Sequence, residues 1–373
     1  MNNRPRIAII GAGMGGLAAA AALRRLGFQA HVYEQAERFT RIGAGIQMSP
    51  NAMRALRGLG LDGQVRRMAF QPRTWNNRAW DTGAVKFELT LGQTAEDQFG
   101  APYLQMHRGD LHAALLSAVP ARDISLGKRL VDVAPAAAGS VLSFADGTKA
   151  AVDLVVGADG VHSKAREILS GAERPLATGR VAYRATFPAS LLRQSVGECT
   201  KWWGRDRHIV IYYVTKAKDE IYFVTSLPDE GWVRESWSAT GDMAVVRRAF
   251  AEFHEEVREV LRACPVVHRW AILERAPLQR WFGEGLVLIG DAAHPMTPYM
   301  AQGAAMAIED GVILARALEQ ASGIDNALVI FEAARKARTA QVQAVSHANT
   351  WMREETDPAW CYGYDPWTEP LDI

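Results

Sequence analysis

The tightest constraint on this chain stands near its start. Gly11-Ala-Gly13-Met-Gly15-Gly16 is a G-x-G-x-x-G run set between a β-branched segment, Arg6-Ile-Ala-Ile-Ile10, and an Ala/Leu-rich stretch over 17–26. A second strand-like run, 29–33, follows, so the opening reads strand, glycine turn, helix, strand. Gly11 permits a tight turn, Gly13 lets backbone N–H groups approach a pyrophosphate, and Gly16 lets helix and strand pack closely. Glu34, at the end of the second strand, offers a carboxylate to ribose hydroxyls. Such a run alone is equally a ligand-free turn; the flanking elements and the spaced carboxylate favour dinucleotide binding.

Composition removes other classes. With 49% hydrophobic and 22% charged residues and a net charge of +1, the 373-residue chain is expected to fold compactly. Lys+Arg (42) and Asp+Glu (41) cancel without long blocks, so no nucleic-acid partner is expected. Cys199, Cys264 and Cys361 are odd in number and far apart, which argues against a disulfide framework or a metal centre and fits the reducing cytoplasm. Arg4 and Arg6 before the apolar 7–23 stretch imitate a secretory signal, but the glycines argue otherwise. No apolar run reaches the roughly 18 residues of a membrane span.

Further along, a glycine-rich loop, Arg41-Ile-Gly-Ala-Gly-Ile46, precedes a helix opened by Ser49-Pro50-Asn51 and ended by Gly58 and Gly60. His107-Arg108-Gly109-Asp110-Leu111 starts another helix. Strands are expected at 126–133 and 141–144, with a turn at Asp146-Gly147, and a continuous buried strand at 152–156. Residues 177–280 read as a mostly antiparallel sheet interrupted by a helical stretch over 243–264. A buried strand at 285–289, helices over 302–320 and 327–349, and a tail bearing Trp351, Trp360 and Trp367 complete the chain.

Two segments, Gly157-Ala-Asp159-Gly160-Val-His-Ser163 and Gly290-Asp291-Ala-Ala-His294-Pro295, each place an aspartate at the carboxyl end of a buried strand, where α/β sheets bind ligands. With the N-terminal run they resemble the FAD-dependent aromatic hydroxylases of the para-hydroxybenzoate hydroxylase type. The resemblance implies an α/β fold: a Rossmann-like FAD-binding domain (1–70, 101–176 and 281–325), a mostly antiparallel substrate domain (71–100 and 177–280), and a C-terminal helix with its Trp-rich tail (326–373). It implies FAD as cofactor, with NADH or NADPH and O₂ as co-substrates. The FAD contacts carried over are Gly11, Gly13, Met14, Gly15, Gly16, Glu34, Gln35, Arg41, Arg108, Leu130, Asp159, Gly160, Asp291, Pro298, Gly303 and Ala304. Taken alone, Asp159 reads equally as a helix N-cap and Arg108 as a surface ion pair.

Finer resemblance, through Lys201-Trp-Trp203, Asp206-Arg-His208, Met300-Ala-Gln-Gly303 and Asp357-Pro-Ala-Trp360, reaches a decarboxylating branch of that family. It implies hydroxylation of a hydroxylated aromatic or pyridine carboxylate, of the 6-hydroxynicotinate to 2,5-dihydroxypyridine type. Cys199, His208, Tyr212 and Tyr222 match or adjoin pocket positions, with His208 the preferred base and Tyr212 and Gln47 assisting. Core packing is the competing reading for Cys199, Tyr212 and Tyr222. Gln47 and Tyr299 stand where that branch carries histidines, which leaves hydroxybenzoates, salicylate and other hydroxypyridines as alternative substrates. A non-hydroxylating FAD oxidase and a silent flavin binder are the other classes. The partner expected is a small aromatic acid, with the tail docking on its own chain or on a neighbour in a homodimer.

Overall fold

The structure is a computed structural model that describes residues 4–41, 43–137, 139–229 and 239–372. The expected sheet region at 230–238 lies outside the described residues. Four short apolar strands, Ile7–Ile10, Ala30–Tyr33, Leu154–Gly157 and Leu286–Leu288, form the parallel heart of a six-stranded sheet. Their register sets Ile7 beside Leu154 and Ala30, and Val155 beside Leu286. Helix Met14–Arg25 packs on helix Gly303–Gln320, and small residues make the approach possible: a Cβ on Gly311 would lie 2.5 Å from the Ala19 backbone nitrogen.

Three expectations are corrected. The apolar 152–156 run is two strands, because Asp153 accepts the Arg6 backbone N–H and pairs with its guanidinium. Val152 ends Lys149–Val152 in a small antiparallel sheet, and Leu154 begins the parallel strand. The 126–133 strand starts only at Leu130, since Ile124–Ser125 belongs to the parallel sheet and the chain crosses between sheets at Gly127, at φ 68°. The 243–264 helical stretch is two helices, Met243–Ala249 and Glu255–Ala263, with Asp242 and His254 as side-chain N-caps.

The second large sheet has eight strands: Thr240–Gly241, Val267–Glu274, Leu176–Pro188, Glu220–Pro228, His208–Tyr213, Cys199–Trp203, Thr74–Ala79 and Val85–Thr90. All pairs are antiparallel except Cys199–Trp203 with Thr74–Ala79. Strand alternation sorts the side chains. Trp202, Ile209, Ile211 and Phe223 form a core with Val246, Phe250 and Val257 from the two helices. The opposite face carries Cys199, Lys201, Trp203, His208, Tyr212 and Tyr222.

The tail docks on its own chain: Trp367 Nε1 donates to the Ala55 carbonyl (3.0 Å) and Arg316 to that of Pro366 (2.7 Å). Among the described residues no helix is long and apolar enough to cross a membrane and no side-chain cluster could hold a metal ion. The three cysteines are buried and free.

Candidate active site

The glycines at the N-terminal turn divide by function. Gly11, at φ 101°, sits where a Cβ would lie 2.5 Å from the Ala158 carbonyl oxygen, and a Cβ on Gly16 would collide with the Gly11 carbonyl. Gly15 faces Ala307. Those three serve packing, and Met14 is buried beside them. Gly13 is different: its backbone is ordinary (φ −74°, ψ −173°) and a Cβ there would meet no protein atom within 4 Å. Nothing in the fold demands glycine at this position, and the missing side chain leaves open space at the amino end of helix Met14–Arg25, where a ligand could sit. That end has no side-chain cap and no acid in its first turn, leaving its N–H groups and dipole to an anion.

Glu34 is held beside the same turn. Its two oxygens accept the Ala12 and Ala36 backbone N–H groups, both at 2.8 Å, and each retains a lone pair for a ribose hydroxyl. Gln35 follows directly and is exposed. The Lys128 N–H donates to the Glu34 carbonyl at 2.7 Å, which brings the segment entering buried Leu130 alongside.

Asp159 works inside its own turn. Its oxygens accept the Ser163 hydroxyl and the Lys164 and Ala165 N–H groups, the helix-capping role weighed from sequence, and burial pushes its carboxyl up despite those bonds. Beside it Gly160, at φ 81°, faces open space. Asp291 is reached by solvent while Ala292 to His294 are buried. Protein still crowds it enough for desolvation to push its carboxyl up against the pull of His294 and Arg108, as on the floor of a crevice. Arg108 is correspondingly lowered by burial and supported by Asp291.

Pro298 is likewise exposed between buried Thr297 and Tyr299, and Gly303 and Ala304 open the uncapped helix Gly303–Gln320. Arg41 pairs with Asp110 (3.0 Å) and Glu220 (3.2 Å). The Gly290 turn is fixed from beneath by Asp310, which accepts the Gly290 N–H (2.8 Å), bonds to His294 Nε2 (2.6 Å) and accepts from Arg335 Nε (2.7 Å).

The remaining predicted residues line the face of the eight-stranded sheet. Cys199, Tyr212 and Tyr222 form one row across three strands. Gln47 Nε2 reaches Cys199 Sγ at 3.5 Å, and Gly45 leaves room for both tyrosine rings, its would-be Cβ lying 2.7 Å from the Tyr212 hydroxyl. Trp203, His208 and Ser226 form a second row two residues along, where Tyr299 shares a 2.9 Å hydrogen bond with Ser226. Gln47, Cys199, Tyr212 and Tyr222 thus meet at one end and His208 and Tyr299 at the other.

Burial, reinforced by Lys201 and Arg180, drives His208 well below the usual histidine range, leaving a neutral imidazole able to accept a proton. Burial also raises the Cys199 thiol and pushes the Tyr222 phenol up to about 12, so neither is an anion near neutral pH. Neither is an activated nucleophile, and the oxidising chemistry falls to a cofactor. Sequence reasoning gave no role to Lys201 and Asn77, which lie between the rows, nor to Gln105, paired in register with Gln47. The available signal was a lysine inside the otherwise uncharged strand Cys199–Trp203.

A Rossmann-type glycine turn with an open, uncapped helix start, a second aspartate at a strand end and a row of buried polar and aromatic side chains on a mostly antiparallel sheet fit a flavin-dependent monooxygenase. The family model described as "FAD binding domain" matches residues 4–347, and the chain belongs to that family. It is similar to the 6-hydroxynicotinate 3-monooxygenase of Bordetella bronchiseptica, 46% identical over 100% of this chain and 98% of that protein. The enzyme of the same name from Pseudomonas fluorescens is 44% identical, with the same coverage. Among solved structures, Klebsiella pneumoniae HpxO complexed with FAD and uric acid superimposes with a TM-score of 0.85 at 25% identity, covering 96% of this chain and 92% of that one. The chain is an FAD-dependent aromatic monooxygenase, of a class that draws on NAD(P)H and O₂.

Proposed function

We propose that the enzyme hydroxylates a hydroxylated aromatic or pyridine carboxylate at the carbon bearing the carboxylate, with release of CO₂, as in conversion of 6-hydroxynicotinate to 2,5-dihydroxypyridine. The observation that carries this reading is a buried His208, held neutral, on the sheet face that carries Tyr212 and Tyr222, in a chain 46% identical to a named 6-hydroxynicotinate 3-monooxygenase. Bound FAD, reduced by NAD(P)H, would supply one oxygen atom of O₂ to the ring while the other leaves as water. The cofactor would be held by the Gly13 cradle, Glu34, Arg108, Asp291 and the turn from Pro298 to Ala304, within the segments 1–70, 101–176 and 281–325.

His208 takes the proton of the ring hydroxyl, raising electron density at the carbon to be attacked. Tyr212 and Tyr299 orient the ring, Gln47 and Cys199 bound its far edge, and the segments 71–100 and 177–280 keep bulk water away. The free, buried cysteines accord with cytoplasmic residence.

The test is to supply the FAD-loaded protein with NADH or NADPH and a panel of hydroxypyridine carboxylates and hydroxybenzoates. Stimulated NAD(P)H oxidation with hydroxylated product and CO₂ from the labelled carboxyl group supports the reading; stimulated oxidation yielding only H₂O₂ replaces it with an oxidase. A second substrate class, hydroxybenzoates or other hydroxypyridines, is favoured by the neutral Gln47 and Tyr299.

A further inference from the structure

Lys201 lies in the middle of strand Cys199–Trp203, on the face that carries Tyr212 and His208 and between the Cys199 and Trp203 rows, with Val210 on one side and Asn77 on the other. It is 1% exposed, and its ammonium has no hydrogen-bond or ion-pair partner among the described residues. Its one close interaction is the Trp203 ring, 3.9 Å from Nζ to centroid. The facing groups offer no compensation: His208 is neutral, Arg180 acts on the same His208, and Arg353 lies over the far ring at 5.8 Å. Burial alone acts on Lys201 and lowers it to about 7.

Asn77, fully buried, repeats the pattern. Its Oδ1 accepts the Trp203 indole N–H at 3.0 Å, while Nδ2 has no partner. Two buried donor groups without acceptors, held side by side by strand pairing and by a shared tryptophan, carry a desolvation cost that an apolar pair of the same shape would avoid. An anionic oxygen pair would satisfy both.

We infer that Lys201 and Asn77 form the carboxylate subsite of the pocket and select aromatic acids over their neutral counterparts. The inference deepens the proposed function and rests on it for the substrate class. Its geometry agrees with the role of His208. Lys201 Nζ lies 3.9 Å from the Trp203 ring, which packs on His208 at 5.1 Å, so a carboxylate held at Lys201 brings the substrate ring beside His208. Trp203 holds the amine without an ion pair, and an anionic ligand beside it favours the charged form.

The test is equilibrium titration of FAD-loaded protein, followed by flavin absorbance, with 6-hydroxynicotinate against 6-hydroxynicotinamide and 3-hydroxybenzoate against 3-hydroxybenzamide. The unaltered enzyme is expected to prefer the acid by about 10- to 100-fold, the span of a charged hydrogen-bonded contact. Lys201→Met should abolish that preference while leaving amide affinity unchanged, which a merely structural defect would not do. Lys201→Arg should keep part of it, and Asn77→Ala should reduce it several-fold. If Lys201→Met does not load FAD, the acid preference of the unaltered protein and of Lys201→Arg and Asn77→Ala decides. Equal affinity for acid and amide in the unaltered enzyme, binding of neither, or full preference retained in Lys201→Met overturns the subsite. Acid-selective binding lost in Lys201→Met but without hydroxylated product leaves the subsite standing and removes the proposed reaction instead.

Discussion

The His208 and Tyr299 rings meet edge to face, centroids 5.3 Å apart at 75°, and the Tyr299 hydroxyl shares its hydrogen bond with Ser226, the residue paired with His208 across the strands. The imidazole is therefore wedged between Trp203, at 5.1 Å, and Tyr299, and its orientation is set by packing before any ligand arrives.

That placement predicts an unusual pH profile. Because burial, Lys201 and Arg180 lower the His208 pKa, the neutral form persists below the ordinary 6.5. At saturating substrate the rate should stay level from about pH 8 down through the usual histidine range and fall only in more acidic solution, where the imidazole finally protonates. His208→Gln should lower kcat by about 100-fold or more, the typical worth of a positioned base. Stopped-flow turnover against pH, with product measured rather than NADH consumed, checks both. A rate halved near pH 6.5 would show an ordinary, solvated histidine.

The glycine turn predicts two opposite failures from one substitution type. Gly13→Ala adds a methyl where no protein atom lies within 4 Å, so the apoprotein should melt at an unchanged temperature while FAD affinity drops by about tenfold or more. Gly16→Ala forces a methyl against the Gly11 carbonyl and should cost about 1–3 kcal/mol of fold stability. Thermal melts of the apoproteins with and without added FAD separate the two.

This contrast also explains what the sequence could and could not convey. The motif announced the turn, and β-branched runs announced the strands, because both are local signals. Which glycine serves the ligand depends on Ala158 and Ala307, remote in sequence. Asp153 was invisible as a break because its partner, Arg6, is remote in sequence. Lys201 passed as part of a motif, since its lack of a partner is a property of packing. His208, Tyr212 and Tyr222 were legible because strand alternation puts them on one face, but their division into two ends follows from register.

The ionic cluster beneath the Gly290 turn predicts coupling of stability to cofactor retention. Asp310 is pushed up by burial but pulled to about 2 by His294 and Arg335. A depressed carboxyl stabilises the fold above its unfolded value, near 3.8, and that contribution is lost as pH falls toward 2. Arg335→Ala strands Asp310 in the core and should cost about 3–5 kcal/mol. Since Asp310 also accepts the Gly290 N–H, the variant should release FAD more readily than its melting temperature alone implies. Denaturant titration beside an FAD off-rate measurement tests this.

The tail yields the last prediction. Gly58 ends helix Pro50–Gly58, where alanine would ordinarily stabilise a helix by about 1 kcal/mol. Here the sign should reverse, because a Cβ on Gly58 would fall inside the Trp367 indole, whose N–H donates to the Ala55 carbonyl. Gly58→Ala should lose about 1–3 kcal/mol through overpacking and make the 351–372 segment more sensitive to protease. The same segment carries Tyr362, which packs on Tyr103 at 5.9 Å, and Tyr103 packs on Trp75 of the strand next to Cys199. Loosening the tail should therefore raise KM for the aromatic acid several-fold while leaving FAD affinity unchanged. An unaltered KM with weakened FAD binding would mean instead that the tail acts on the cofactor, through the Arg338 bonds that join Cys361 to Glu309.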